Sequence, residues 1–151
     1  MGFHRRAAAA ALIGLAALAG ALPAADAEAG AAAIEDADRR AIGPLEDFER
    51  RPDRHGARRV LEAAREARDR LEAARVAERF GTARREELAF LNHLVPGFEA
   101  YLAGPGGPAA LASLRSIVAR GRRHREQSRE ALRAESTQND ARRRTARSKT
   151  S

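Results

Sequence analysis

Residues 88–102 read L-A-F-L-N-H-L-V-P-G-F-E-A-Y-L. They hold eight of the 22 large apolar residues (Val, Ile, Leu, Phe, Tyr) found from Glu28 onward, and three of the chain's six aromatics, Phe90, Phe98 and Tyr101. Any core has to be built around this segment, because burial of large apolar side chains is the dominant stabilising contribution in a small domain. Leu88, Leu91, Leu94/Val95, Phe98 and Tyr101/Leu102 follow helical spacing straight through Pro96-Gly97. The stripe survives the proline, whereas the backbone hydrogen bond that Pro96 removes does not. The sequence therefore predicts a kinked central helix, or two short helices meeting at Pro96.

Upstream, residues 57–80 contain no Gly or Pro and are rich in Ala, Arg, Glu and Leu, all good helix formers. Val60, Ala64, Ala67, Leu71 and Ala74 recur at the period of a packed seam. Glu66–Arg70, Arg58–Glu62, Arg65–Asp69 and Arg68–Glu72 pair charges on the outer face. Gly81 suits a left-handed cap and Thr82 an N-cap, so a helix over 57–80 should meet an antiparallel one beginning near Ala83. Downstream, Gly104-Pro-Gly-Gly-Pro108 marks a loop, and Pro108 opens a further helix. Leu111, Leu114 and Ile117/Val118 line its inner face. Past Val118 the stripe gives way to Gly121, His124 and Ser128 until Leu132, so this helix is expected to be buried in its first three turns only.

The outer segments are weaker. Residues 31–41 could form a short helix anchored by Ile34 and Ile42, with a break at Gly43-Pro44 and a second short helix through Arg50 docked by Leu45 and Phe48. Residues 52–56 (PDRHG) read as a turn. From Glu135 the polar run STQNDARRRTARSKTS has no apolar periodicity and reads as a flexible basic tail. At the other end, Arg5 and Arg6 precede an Ala/Leu/Ile/Gly tract over residues 7–22, followed by Pro23 and Ala25-Asp26-Ala27. That is the pattern of a secretory signal peptide cleaved after Ala27. The tract is shorter and more Ala-rich than a span of roughly 20 strongly apolar residues requires, so no transmembrane anchor is expected after cleavage. Arg5-Arg6 also fits the start of a twin-arginine signal, although the tract lacks that signal's fuller pattern.

The expected organisation is all-α. Residues 1–27 are a signal peptide and 28–56 a loosely structured segment with one or two short helices. Residues 57–134 form a small three-helix bundle, and 135–151 a disordered basic tail. The expected location is exported, periplasmic or secreted. With no cysteine in 151 residues there is no disulfide to support the fold there. Leu, Ile, Val and Phe make up only 21 of the 124 residues after the signal, which leaves stability marginal.

The net charge of +7 conceals a polarised chain. Residues 28–107 carry 14 Arg and 16 acids, net −2, whereas 108–151 carry 11 Arg, one Lys and four acids, net +8. Arg122, Arg125, Arg129 and Arg133 share one face of a continuing helix, and Arg142, Arg143, Arg144, Arg147 and Lys149 follow. Such an arm can hold a polyanion through counterion release. An anionic envelope component (phospholipid headgroups, lipopolysaccharide) or an acidic protein matches an exported chain. Nucleic acid does not, and no aromatics are interleaved for base stacking. The bland counterpart is a solvated arm that keeps an Ala-rich protein soluble.

Catalytic and cofactor signatures are missing. There is no cysteine nucleophile, G-x-S-x-G or Gly-rich phosphate loop, and no strand pattern. His55, His93 and His124 lack metal-ligand spacing, and no C-x-x-C-H points to haem, so neither metal nor cofactor is expected. Glu86 and Glu87 favour the positive end of a helix dipole. The expected function is that of a non-catalytic helical interaction protein acting through its basic arm. A chaperone-like envelope stress protein is one alternative, on size and charge alone. An unrecognised hydrolase using Glu86, Glu99 or His93 is the other.

Overall fold

A computed structural model describes residues 22–148, with side-chain burial defined from residue 29. The expected apolar signal tract lies outside the described residues but for its last position. The described chain is all-α, with four long helices: α1 (Leu22–Arg50), α2 (Arg54–Ala73), α3 (Gly81–Ala103) and α4 (Pro108–Ser148). A single 3₁₀ turn, Glu78–Phe80, precedes α3. Each helix packs on the next in sequence, α1 on α2, α2 on α3 and α3 on α4, as short connections dictate. The backbones of α1 and α4 scarcely approach one another, so the bundle is open along one side.

The first correction concerns α1, which is one helix of 29 residues and not one or two short ones. Its buried apolar side chains are Ile34, Ala37, Ala41, Leu45 and Phe48, a seam at +3, +4, +4, +3 that runs past Gly43-Pro44. Two of the five are alanines, so the stripe is complete but thin. Ile42, expected as an anchor, is only half-buried. Pro44 costs one backbone hydrogen bond without breaking a helix that tertiary packing fixes on both sides.

The second correction is the end of α2, which stops at Ala73 and not near Phe80. Ala74 turns extended (φ −69°, ψ 138°), and the last carbonyls of the helix are met from α3: Arg84 Nη2 donates to Leu71 O at 3.1 Å and Glu72 O at 2.8 Å. Gly81 is right-handed (φ −58°, ψ −37°) and is the first residue of α3, so neither the left-handed cap nor the Thr82 N-cap forms. At its other end α2 is capped by Asp53, whose carboxylate accepts from Gly56 N–H at 2.5 Å. That hydrogen bond holds the Asp53 carboxyl below the usual carboxylate range.

The third concerns only one of the two readings of α3, which is a single element through Pro96 and not two short helices. Pro96 and Asn92, whose carbonyl loses its partner, both lie on the exposed face, where water can serve instead. Phe90, Leu91, Leu94, Val95 and Phe98 are buried, and Phe48 of α1 meets Phe98 and Tyr101 edge-on, with ring centroids 5.1 and 5.9 Å away. The α3–α4 turn is the glycine loop the sequence implied, with Gly106 and Gly107 at φ 79° and 100°. Arg54 Nη1 and Nη2 donate to Gly104 O at 3.0 Å and Leu102 O at 2.5 Å, capping α3 from the start of α2.

The fourth concerns α4. Burial does not end at Val118 but continues through Gly121 to Ser128. At Gly121 α4 lies close against α3: a Cβ there would stand 3.2 Å from His93 Cβ and 3.3 Å from Phe90 Cδ2. Gly97 does the same from α3, since a Cβ would lie 2.9 Å from Ile117 Cγ2. Helix α4 then runs on as far as Ser148 with no buried residue after Ser128, so residues 135–148 are helical and mostly exposed. Among the described residues no helix is long and apolar enough to cross a membrane.

Candidate functional site

The open side of the bundle is bridged by ion pairs between α1 and α4. Arg125 meets Asp38 with two hydrogen bonds, Nε to Oδ1 and Nη2 to Oδ2, the latter 3.0 Å long. Both side chains are largely buried, and the Asp38 carboxylate holds the Arg125 guanidinium above its usual value. One helical turn earlier on α4, Arg122 meets Glu49 at 2.5 Å. The two arginines are therefore committed within the fold, on the face that sequence spacing assigned to a polyanion.

Beside the Asp38–Arg125 pair, α1 and α4 diverge around a groove of about 550 Å³. Its α1 wall carries Ile34, Asp38, Arg39 and Ile42, and its α4 wall Ser128, Arg129, Leu132 and Arg133. Glu87 of α3 forms the floor. Ala83, Glu87, Phe90, Leu91 and Leu94 are all buried at helical spacing, so Glu87 occupies a core position in the central helix.

Both Glu87 and Ser128 are wholly buried. Neither carboxyl oxygen of Glu87 nor the Ser128 hydroxyl has a hydrogen-bond partner of good geometry, although Ser128 stands close enough to favour the ionised carboxylate. Desolvation dominates, with the Asp38 charge adding to it, and the Glu87 carboxyl is pushed up to about 8 against the opposing pull of Ser128, Arg125 and Arg129. At neutral pH the carboxyl is held mainly in its protonated, uncharged form. The sequence signal was its register with Leu91 and Leu94, overshadowed by its position beside Glu86 in the first turns of α3.

The other singled-out residues fall elsewhere. Glu86 Oε2 lies 2.7 Å from His124 Nδ1, and the His124 ring lies 5.1 Å from that of His93, whose Nδ1 is 2.8 Å from Ala89 O. Glu86 and His93 are thus brought together through His124, while Glu99 pairs with Arg65 of α2 at 2.5 Å. None of them lines the groove. Among the described residues no group of three or more His, Cys, Asp or Glu side chains could hold a metal ion. Arg142, Arg143 and Arg144 lie on the exposed distal part of α4. No family model, curated protein or solved structure matches the chain.

Proposed function

We propose that the protein is an exported, non-catalytic helical interaction protein whose distal α4 makes electrostatic contact with an anionic surface. The observation that carries this reading is the division of α4 at Ser128, beyond which no residue is buried. At about 1.5 Å per residue, the 20 described residues after Ser128 extend roughly 30 Å. Residues 133–148 hold five arginines against Glu135 and Asp140. They contain no large apolar residue, so the arm rests on a charged surface without inserting into a bilayer. In the exported compartment the matching chemistry is an anionic envelope component; an acidic protein partner is recognised by the same groups.

Co-sedimentation with phosphatidylglycerol–phosphatidylcholine vesicles, against pure phosphatidylcholine, tests the reading. Binding is expected only to the anionic vesicles, with affinity falling steeply between about 50 and 200 mM salt. Equal binding to both compositions, or binding indifferent to salt, would sink it.

A further inference from the structure

The groove between α1 and α4 uses Arg129, Leu132 and Arg133 in the turns just beyond Ser128 and does not include Arg142, Arg143 or Arg144, and its chemistry is specific. Its floor holds two wholly buried polar side chains, Glu87 and Ser128, whose three oxygens lack hydrogen-bond partners of good geometry. Leaving such groups unmatched is costly, and they are the atoms a ligand headgroup would satisfy. Its walls are mixed. Ile42 and Leu132 are half-buried, while Arg39, Arg129 and Arg133 contribute three positive charges against Glu35 and Asp38. Asp38 is already paired with Arg125, which leaves the groove positive. The volume of about 550 Å³ lies in the ordinary range for small-molecule sites.

We propose that this groove binds a monocarboxylate with a short apolar chain, its headgroup lodged between Glu87, Ser128 and the Arg129 guanidinium and its chain along Ile42 and Leu132. Charge complementarity selects an anion over an amine. An ammonium would have to enter among Arg125, Arg129 and Arg133, whereas a carboxylate finds a planar guanidinium fork and two hydroxyl donors, those of the neutral Glu87 and of Ser128. Both floor residues are wholly buried, so the headgroup reaches them with a local displacement of the side chains that line the groove. The charged groups acting on Glu87 come from the two helices that wall the groove, Asp38 on α1 and Arg125 and Arg129 on α4, with none from α2, which also packs on α3. Ionisation of Glu87 turns a donor into a second anion facing the ligand, so binding weakens as pH rises through about 8.

Titration calorimetry of the full chain with octanoate, octylammonium and 1-octanol provides the test, since the three share one tail. Octanoate is expected to bind saturably near pH 6, at least about tenfold more tightly than the other two, and severalfold, up to about tenfold, more weakly near pH 9. Glu87→Gln keeps a neutral donor and should retain binding while losing the pH dependence. The exposed Arg129→Ala should weaken octanoate at least about tenfold with the fold intact by circular dichroism. Replacing Arg142, Arg143 and Arg144 by Gln should leave octanoate binding unchanged, which separates this site from the arm. The proposal is overturned by no octanoate binding, by octylammonium or octanol binding as tightly, or by octanoate affinity that rises with pH.

Discussion

Glu87 is a carboxyl without the partners that a buried carboxyl ordinarily has, and its protonation ties the stability of the fold to pH. The unfolded chain releases this proton near 4.5, and the folded chain holds it to about 8. Between those values the native state binds more protons than the unfolded state, so stability falls as pH rises, by up to roughly 1.4 kcal/mol per pH unit, and levels off above the folded value. Glu87→Gln removes the ionisable group while keeping its size. Thermal unfolding should show little difference between wild type and variant near pH 4 and a higher midpoint for the variant near pH 9. A constant difference across that range would mean that Glu87 is ionised in the native state. The burial of Glu87 was legible in its spacing to Leu91 and Leu94. Its lack of partners was not, because that depends on Ser128 and Asp38, 41 and 49 positions away.

At the scale of the helices, small residues decide how closely the elements approach. Gly97 faces Ile117 and Leu114, and Ile117 is β-branched with little rotamer freedom in a helix. Gly97→Ala gains about 1 kcal/mol of helix propensity, and the overpacking costs about 1–3 kcal/mol, so a net loss near 1 kcal/mol is expected in urea unfolding. Gly81 is the opposite case, with open space around a right-handed backbone. Gly81→Ala should be neutral or stabilising by a few tenths of a kcal/mol; a clear loss would argue for the left-handed cap that the sequence suggested.

The cores of α2 and α3 were readable from Val60, Leu71, Leu91 and Phe98, whose bulk makes the period plain. Helix α1 was harder, because Ala37 and Ala41 carry its seam and the Gly43-Pro44 pair reads as punctuation. The continuation of α4 was masked in the same way, since Gly121 and Ser128 are core residues there and resemble solvent-facing ones in sequence.

For the whole molecule, the charge asymmetry seen in the sequence resolves into two populations of arginine on one helix. Spacing alone placed Arg122, Arg125, Arg129 and Arg133 together, because it registers the face they share and not the acids that α1 brings to it. Arg122 and Arg125 fasten α4 to α1 through Glu49 and Asp38. Arg142, Arg143 and Arg144 project beyond the last buried residue. The groove lies between the two groups, beside Arg129 and Arg133.

On the proposed function, α4 anchors the bundle with its first half and meets an anionic surface with its second. Two variants measured side by side for unfolding and for binding to phosphatidylglycerol vesicles test it most directly. Arg122→Gln with Arg125→Gln should lower stability by about 2 kcal/mol, because Asp38 is left largely buried without its partner, while the folded protein still binds vesicles. Arg142, Arg143 and Arg144, each changed to Gln, should leave unfolding unaltered and reduce vesicle binding at least about tenfold. Vesicle binding that survives the distal triple substitution and is lost with the proximal pair would contradict the division.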